Sequence, residues 1–277
     1  MLPNFFVIGA MKSGTSSLHA YLQSHPQIFM SEPKEPDYFV QVLNWGRGQE
    51  WYESLFAGSE RAVARGEAST SYSMRHAWPG PAKRIASVVP EARIVYLVRD
   101  PIERMLSHYI MLRKTGKEQR PAEKAFREEP GYIRTSSYWF QLEAYLEHFP
   151  RERVFVLTSE ALRHDRASTV RRVWEFLGVD ATYVPEALSA ERNRSTDRAT
   201  RTLAGSRLKR SAALRAVTGV TPAPVRRLFG RITLKPLKVT DVPISAELRA
   251  ELAALLQPQV RAIRPFLDGG FDGWGIA

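Results

Sequence analysis

Phe5-Phe6-Val7-Ile8-Gly9-Ala10-Met11-Lys12-Ser13-Gly14-Thr15-Ser16-Ser17 is the stretch on which the reading of this chain turns. Four consecutive apolar residues ending at a glycine read as a strand buried on both faces. A loop from Gly9 to Thr15 follows, then a helical pattern near Ser16–Gln23 that His25-Pro26 stops. Strand, lysine-bearing loop and helix start together make an anion site. Loop amides and the helix N-terminus face the anion, Lys12 adds a full charge, and the hydroxyls of Ser13, Thr15, Ser16 and Ser17 add donors around Gly14. An ordinary glycine turn does not account for that combination. The pattern is not a Walker A loop, which needs Gly-x-x-x-x-Gly-Lys-Ser/Thr, because Lys12 precedes Gly14.

Further along, Arg93-Ile94-Val95-Tyr96-Leu97-Val98 reads as a second buried strand, with Arg99 at its carboxyl end. Asp100 is a natural N-cap for the next helix, Pro101 suits its first position, and Glu103 completes a capping box. Val154-Phe155-Val156-Leu157 is a third strand. Val170, Val173, Trp174 and Leu177 then form a core-facing helical stripe closed by Gly178. Strands alternating with helices predict an α/β fold: a central, mainly parallel β-sheet flanked by helices, in one domain over 1–277. Glycines and prolines break up the region about 192–242, which reads as lid-like. A last amphipathic helix spans Ser245–Leu256 or a little beyond, before a glycine-rich tail ending at Trp274.

The order of these motifs resembles the sulfotransferases that use 3′-phosphoadenosine 5′-phosphosulfate (PAPS). Lys12-Ser13-Gly14-Thr15-Ser16 is similar to their 5′-phosphosulfate loop. The segment from Val95 to Tyr109 resembles their 3′-phosphate site, in which the Arg closing the strand and the Ser eight residues later, here Arg99 and Ser107, bind the phosphate. Lys34-Glu35-Pro36-Asp37-Tyr38-Phe39 resembles a Lys-Glu-Pro-x-Phe-Phe stretch of heparan-sulfate-type and related bacterial members. Gly66-Glu67-Ala68-Ser69-Thr70-Ser71-Tyr72 resembles Gly-Glu-x-Ser/Thr-Pro-x-Tyr. Here Thr70 replaces the usual Pro, and Ala68 stands where some glycan sulfotransferases carry Lys, which argues against a lysine-dependent acceptor site. The end, Phe266 to Trp274, is a modified form of the family's Leu-x-x-Trp finish.

The resemblance implies a P-loop-like sulfotransferase fold, PAPS as donor, 3′,5′-ADP (PAP) as product and no metal. Lys12, Ser13, Gly14, Thr15, Ser16, Ser17, Arg99 and Ser107 would bind the donor. Lys12 would also stabilise the leaving oxygen, and Glu35 would be the general base. Arg99 at a strand's carboxyl end suits a phosphate on physical grounds as well, since its fork matches phosphate oxygens. His108 is a competing base, with packing or a supporting role as its alternative. Glu67 would orient the acceptor or Lys12, or form a structural pair with an Arg.

Composition sets outer limits. The 277 residues include no Cys, which excludes disulfides, thiolate metal sites and a cysteine nucleophile. The net charge of +11 is local: 11 Lys and Arg and no acids fall between Arg198 and Thr240, leaving 29 basic against 29 acidic residues elsewhere. That segment reads as a solvated charged face, as a lid over the donor or an anionic acceptor, or as a peripheral membrane contact. Neither a signal peptide nor a transmembrane stretch is visible, so a cytoplasmic protein is expected. The acceptor is expected to be a glycan, a lipid or another small molecule. Two rival readings are a P-loop-type small-molecule kinase, which needs Mg²⁺ and a Walker B acid, and a nucleic-acid binder. The second does not account for the loop and Arg99, and it has few aromatics for base stacking.

Overall fold

The computed structural model describes residues 1–183 and 241–277, with the backbone of two short paired strands, Thr200–Arg201 and Leu234–Lys235. The lid expected over the region about 192–242 otherwise lies outside the described residues.

Five strands form the main sheet: β1 (Phe5–Gly9), β2 (Ile28–Met30), β3 (Ala64–Ala68), β4 (Arg93–Val98) and β5 (Val154–Thr158). Their order is β2-β3-β1-β4-β5, and every pairing is parallel. The continuous apolar runs of β1 and β4 follow from burial on both faces. Phe6, Ile8, Tyr96 and Val98 enter one core, and Phe5, Val7, Val95 and Leu97 enter the other. Leu18, Leu22, Val170, Val173 and Trp174 cover the second face from the helices Thr15–Gln23 and Arg166–Leu177. After β1 the chain builds β2 and β3 on one side, and later β4 and β5 on the other. The carboxyl end of β1 is therefore the switch point of the sheet, where open α/β folds bind ligands.

β2 and β3 carry weak strand signals. β3 reads Ala64-Arg65-Gly66-Glu67-Ala68 and is nevertheless almost wholly buried. Gly66 is required there, because a Cβ would lie 2.2 Å from Cζ of Phe5. Two local expectations change. Asp100 caps the helix Pro101–Thr115 through the amides of Ile102 (2.8 Å) and Glu103 (3.0 Å), but the reciprocal half of the capping box is not made. The Asp100 amide donates to Glu160 Oε1 instead, freeing Glu103 to pair with Arg99. The last helix runs from Ala246 to Ile263, through Pro258. Its stripe of Leu248, Leu252, Leu256, Val260 and Ile263 stays buried past the proline, and that packing outweighs the backbone bond lost. With the helix Pro101–Thr115, Leu248, Leu252, Leu256 and Val260 form a third core, while Ile263 joins the core of Phe6 and Tyr96.

Candidate active site

The loop after β1 is tied down on both sides. The Ala10 amide donates to the Leu97 carbonyl of β4 at 2.6 Å, and the Ser13 amide to the Ala10 carbonyl at 3.1 Å. On the β3 side the loop passes so close to Ser73 that a Cβ on Gly9 would sit 1.9 Å from its Oγ. Lys12 and Gly14 take left-handed backbone angles, φ 73° and 100°. Gly14 is the N-cap of the helix Thr15–Gln23, and no side chain caps that helix. The N-terminal amides of such a helix and the exposed Gly14 and Ser16 face outward, as an anion site needs. Ser13 is fully buried, and among the described residues its Oγ has no hydrogen-bond partner. Such an orphan is costly unless a ligand satisfies it.

Two guanidinium groups reach this loop from the end of β4 and the next helix. Arg99 Nη1 lies 3.5 Å from the Lys12 carbonyl, and Arg104 Nη1 lies 3.5 Å from the Met11 carbonyl. Arg99 is partly buried, held by Glu103 at 3.5 Å, and its Nε is likewise buried without a partner among the described residues. Its own carbonyl accepts from Tyr138 Oη at 2.7 Å, which fixes the strand end. Arg104 is completely buried and donates to Ser136 Oγ (2.6 Å) and the Tyr132 carbonyl (2.8 Å). Burial pulls its guanidinium down to about 10, so it remains charged at neutral pH. The sequence reading assigns Arg104 no role. A signal was there: an Arg on the inward face of a capped helix beside a phosphate loop. Ser107, one turn further, is 5% exposed and on the same buried side.

His108 does not have the surroundings of a base. Its ring packs edge-on against Tyr132 at 5.0 Å, and Nδ1 is buried without a partner among the described residues. Burial, reinforced by the charges of Arg104 and Lys12, pushes its imidazole down to about 3. It lines a cavity of about 230 Å³ with His76, Met74, Tyr132 and Thr135.

The segment carrying Glu35 runs beside the end of β3. Glu35 and Asp37 both adopt left-handed φ, 60° and 49°. Glu35 is exposed; its Oε1 accepts from Lys34 Nζ at 2.7 Å and from Thr70 Oγ1 at 3.4 Å. The residue that replaces the family's Pro therefore touches the expected base. Glu67 is fully buried, and among the described residues no Arg pairs with it, contrary to one of the two expectations for it. Three hydroxyls donate to its carboxylate instead: Tyr52 (2.5 Å) and Tyr72 (2.9 Å) to Oε1, and Ser69 (2.7 Å) to Oε2. Burial pushes this carboxyl up to about 7, against the lowering effect of the three bonds. Among the described residues no cluster of acids and imidazoles could hold a metal ion.

Residues 2–214 match the family model described as "Sulfotransferase domain". The bifunctional heparan sulfate N-deacetylase/N-sulfotransferase 4 of Mus musculus is 30% identical over 206 residues, which cover 66% of this chain and 23% of that protein. Heparan sulfate glucosamine 3-O-sulfotransferase 3B1 of the same organism is 29% identical over 187 residues, 64% of this chain and 46% of that one. A solved structure of a sulfotransferase from Alicyclobacillus acidocaldarius is 26% identical, with a TM-score of 0.70 and 99% of both chains covered. The matches thus span less than half the length of these two curated relatives but nearly the whole of the bacterial structure.

Proposed function

The chain belongs to the sulfotransferase domain family, and from that premise we propose that it transfers a sulfuryl group from PAPS to a hydroxyl or amine. The observation that carries this reading is the meeting of the Lys12 loop with Arg99 and Arg104 at the switch point of the sheet. There, Ser13 Oγ and Arg99 Nε are buried and await an acceptor of their hydrogen bonds. A donor with phosphate at both its 5′ and 3′ positions fits that pair of orphans. Bound PAPS would supply the sulfuryl group and a polyanionic leaving group.

In this reading Lys12, Ser13, Gly14, Thr15, Ser16 and Ser17 hold the 5′ side, and Arg99 and Ser107 hold the 3′-phosphate. Sulfuryl transfer resembles phosphoryl transfer, with charge growing on the departing oxygen, so fixed cations do much of the work. Lys12 is the cation nearest that role, and the buried charge of Arg104 supports it from beneath the loop. Glu35, at the acceptor side, takes the acceptor's proton, while Lys34 and Thr70 hold the oxygen that is to receive it.

The names of the relatives cover both N- and O-sulfotransfer to heparan sulfate, which supports a carbohydrate acceptor and leaves lipid or natural-product hydroxyls as the other class. The basic segment would add attraction for an anionic acceptor or a membrane surface. Two cores lie on the two faces of one sheet, and the last helix joins the third core to the first through Ile263, which supports a single domain over 1–277.

Thermal shift with PAP, ADP and AMP tests the donor assignment. A ligand at 100 times its Kd stabilises by about 2.7 kcal/mol, and PAP is expected to reach that shift at a far lower concentration than the other two. Equal shifts from all three would remove the assignment of Arg99 and Ser107.

A further inference from the structure

Three consecutive residues of the Glu35 segment are each held by one of the three hydroxyl partners of Glu67. The Asp37 amide donates to Ser69 Oγ at 3.1 Å. The Tyr38 ring stacks on Tyr52 with centroids 4.2 Å apart and planes 8° from parallel. The Phe39 amide donates to Tyr72 Oη at 3.2 Å. The Glu35 amide itself donates to the Ala68 carbonyl at 3.2 Å, and Ser71 Oγ donates to Asp37 Oδ1.

The chemistry of this cluster is directional. A hydroxyl has one proton and two lone pairs. Ser69 and Tyr72 both give their proton to the Glu67 carboxylate, so their oxygens can only accept from the amides of Asp37 and Phe39. In its ionised form Glu67 accepts at both oxygens and donates at neither, and this form fixes the polarity of both links. The clamp has something to resist, because left-handed φ at Glu35 and Asp37 is unfavourable at each residue and persists only when neighbours enforce it.

We propose that Glu67 is the positioning residue for the proposed base Glu35, acting through Ser69, Tyr52 and Tyr72 to set the backbone of residues 35–39. Glu67 touches neither reacting group. It lies beneath the segment and determines which way the supporting hydroxyls point. The proposal rests on the reading of Glu35 as base, and the two can fail separately.

Glu67→Gln keeps the size of the side chain but adds an N–H₂ donor, so at least one hydroxyl must reverse. Amide hydrogen exchange is expected to speed up at Asp37 and Phe39 by roughly fivefold to tenfold, the worth of about one hydrogen bond. The PAP-induced thermal shift should stay unchanged, because the donor site is built from β1 and β4. Turnover of PAPS, with desulfated heparan sulfate or with water as acceptor, should drop roughly tenfold to a hundredfold in kcat with KM for PAPS unaltered. Ser69→Ala and Tyr72→Phe each cut one link and should loosen Asp37 or Phe39 alone, which keeps the test decisive if Glu67→Gln folds poorly. Wild-type exchange and wild-type kcat in Glu67→Gln, or in both single-link variants, would overturn the proposal. Glu35→Gln separates the two readings. If it retains full turnover, the base assignment fails while the exchange data still judge the clamp. If it abolishes turnover and Glu67→Gln does not lower kcat, the clamp fails while the base stands.

Discussion

The proposed donor side and the proposed acceptor side of this site are built in opposite ways. The donor side is carried by the central strands β1 and β4, whose ends are buried on both faces and which place three cationic side chains, Lys12, Arg99 and Arg104, around one loop. The acceptor side is an irregular, partly exposed segment in left-handed backbone, leaning on the end of β3 through a network of neutral hydroxyls around one buried carboxylate. A donor common to a family can be met by rigid backbone amides and fixed charge. An acceptor that differs between members is met by a replaceable segment whose geometry depends on its supports. The two sides should therefore respond differently to substitution.

The largest separation is expected from Lys12→Ala. Loss of one preorganised donor to developing charge costs about 10²–10³ in kcat, while far-UV circular dichroism should remain that of the wild type, since the three cores are packed by other residues. Full activity would place the leaving-group charge elsewhere.

On the acceptor side, Glu67 gives a pH signature. Its folded value of about 7 lies above the ordinary carboxyl value of 4.5, so the folded state holds this proton more tightly than the unfolded state. The resulting stabilisation is complete below pH 4.5 and is lost as pH rises through 7, a loss of roughly 3 kcal/mol. Urea unfolding between pH 5 and 8 should show the stability of the wild type, measured relative to Glu67→Gln, falling as pH rises. A pH-independent difference would mean the carboxyl is not desolvated as described.

Arg99→Ala returns to the donor side with a smaller effect. It should erase the preference for PAP over ADP, a loss of roughly ten- to a hundredfold in relative affinity, as expected for a charge-assisted hydrogen bond. Isothermal titration with both nucleotides reads it directly. An unchanged ratio would leave Ser107 alone as the reader of the 3′-phosphate.

The smallest effect belongs to the seam between the two sides. Gly9→Ala pushes a methyl group against Ser73 Oγ and should lower stability by roughly 1–3 kcal/mol. Adding Ser73→Ala should recover part of that loss. Strict additivity of the two changes would show that the seam does not couple.

Legibility in the sequence follows the same division. The strand Phe5–Gly9, the loop around Lys12 and Arg99 were readable because their signals are local. An unbroken apolar run of strand length needs burial on both faces, and a lysine loop at a helix start concentrates positive charge that only an anion suits. Arg104 escaped notice because its partners, the Met11 and Tyr132 carbonyls and Ser136, are distant in sequence. β3 escaped as a strand because Ala-Arg-Gly-Glu-Ala has little strand propensity of its own; its place comes from the ladders on either side and from Phe5 lying over Gly66. Glu35 was readable only through resemblance, since no local pattern marks that acid out from its neighbour Asp37. The partners of Glu67 could not be guessed, because Tyr52 reaches it from a separate helix, Gly48–Ser54.

The ladder of Glu35, Asp37 and Phe39 amides on the Ala68 carbonyl, Ser69 and Tyr72 also marks where this domain can be cut and rejoined. Residues 34–39 and 67–72 are two halves of one cassette, because the amides of the first donate to a carbonyl and two hydroxyls of the second, whose direction Glu67 sets. A transplant of acceptor specificity from a relative should move both halves together and leave the β1 and β4 scaffold untouched. A graft of 34–39 alone would set new amides against hydroxyls arranged for the old ones.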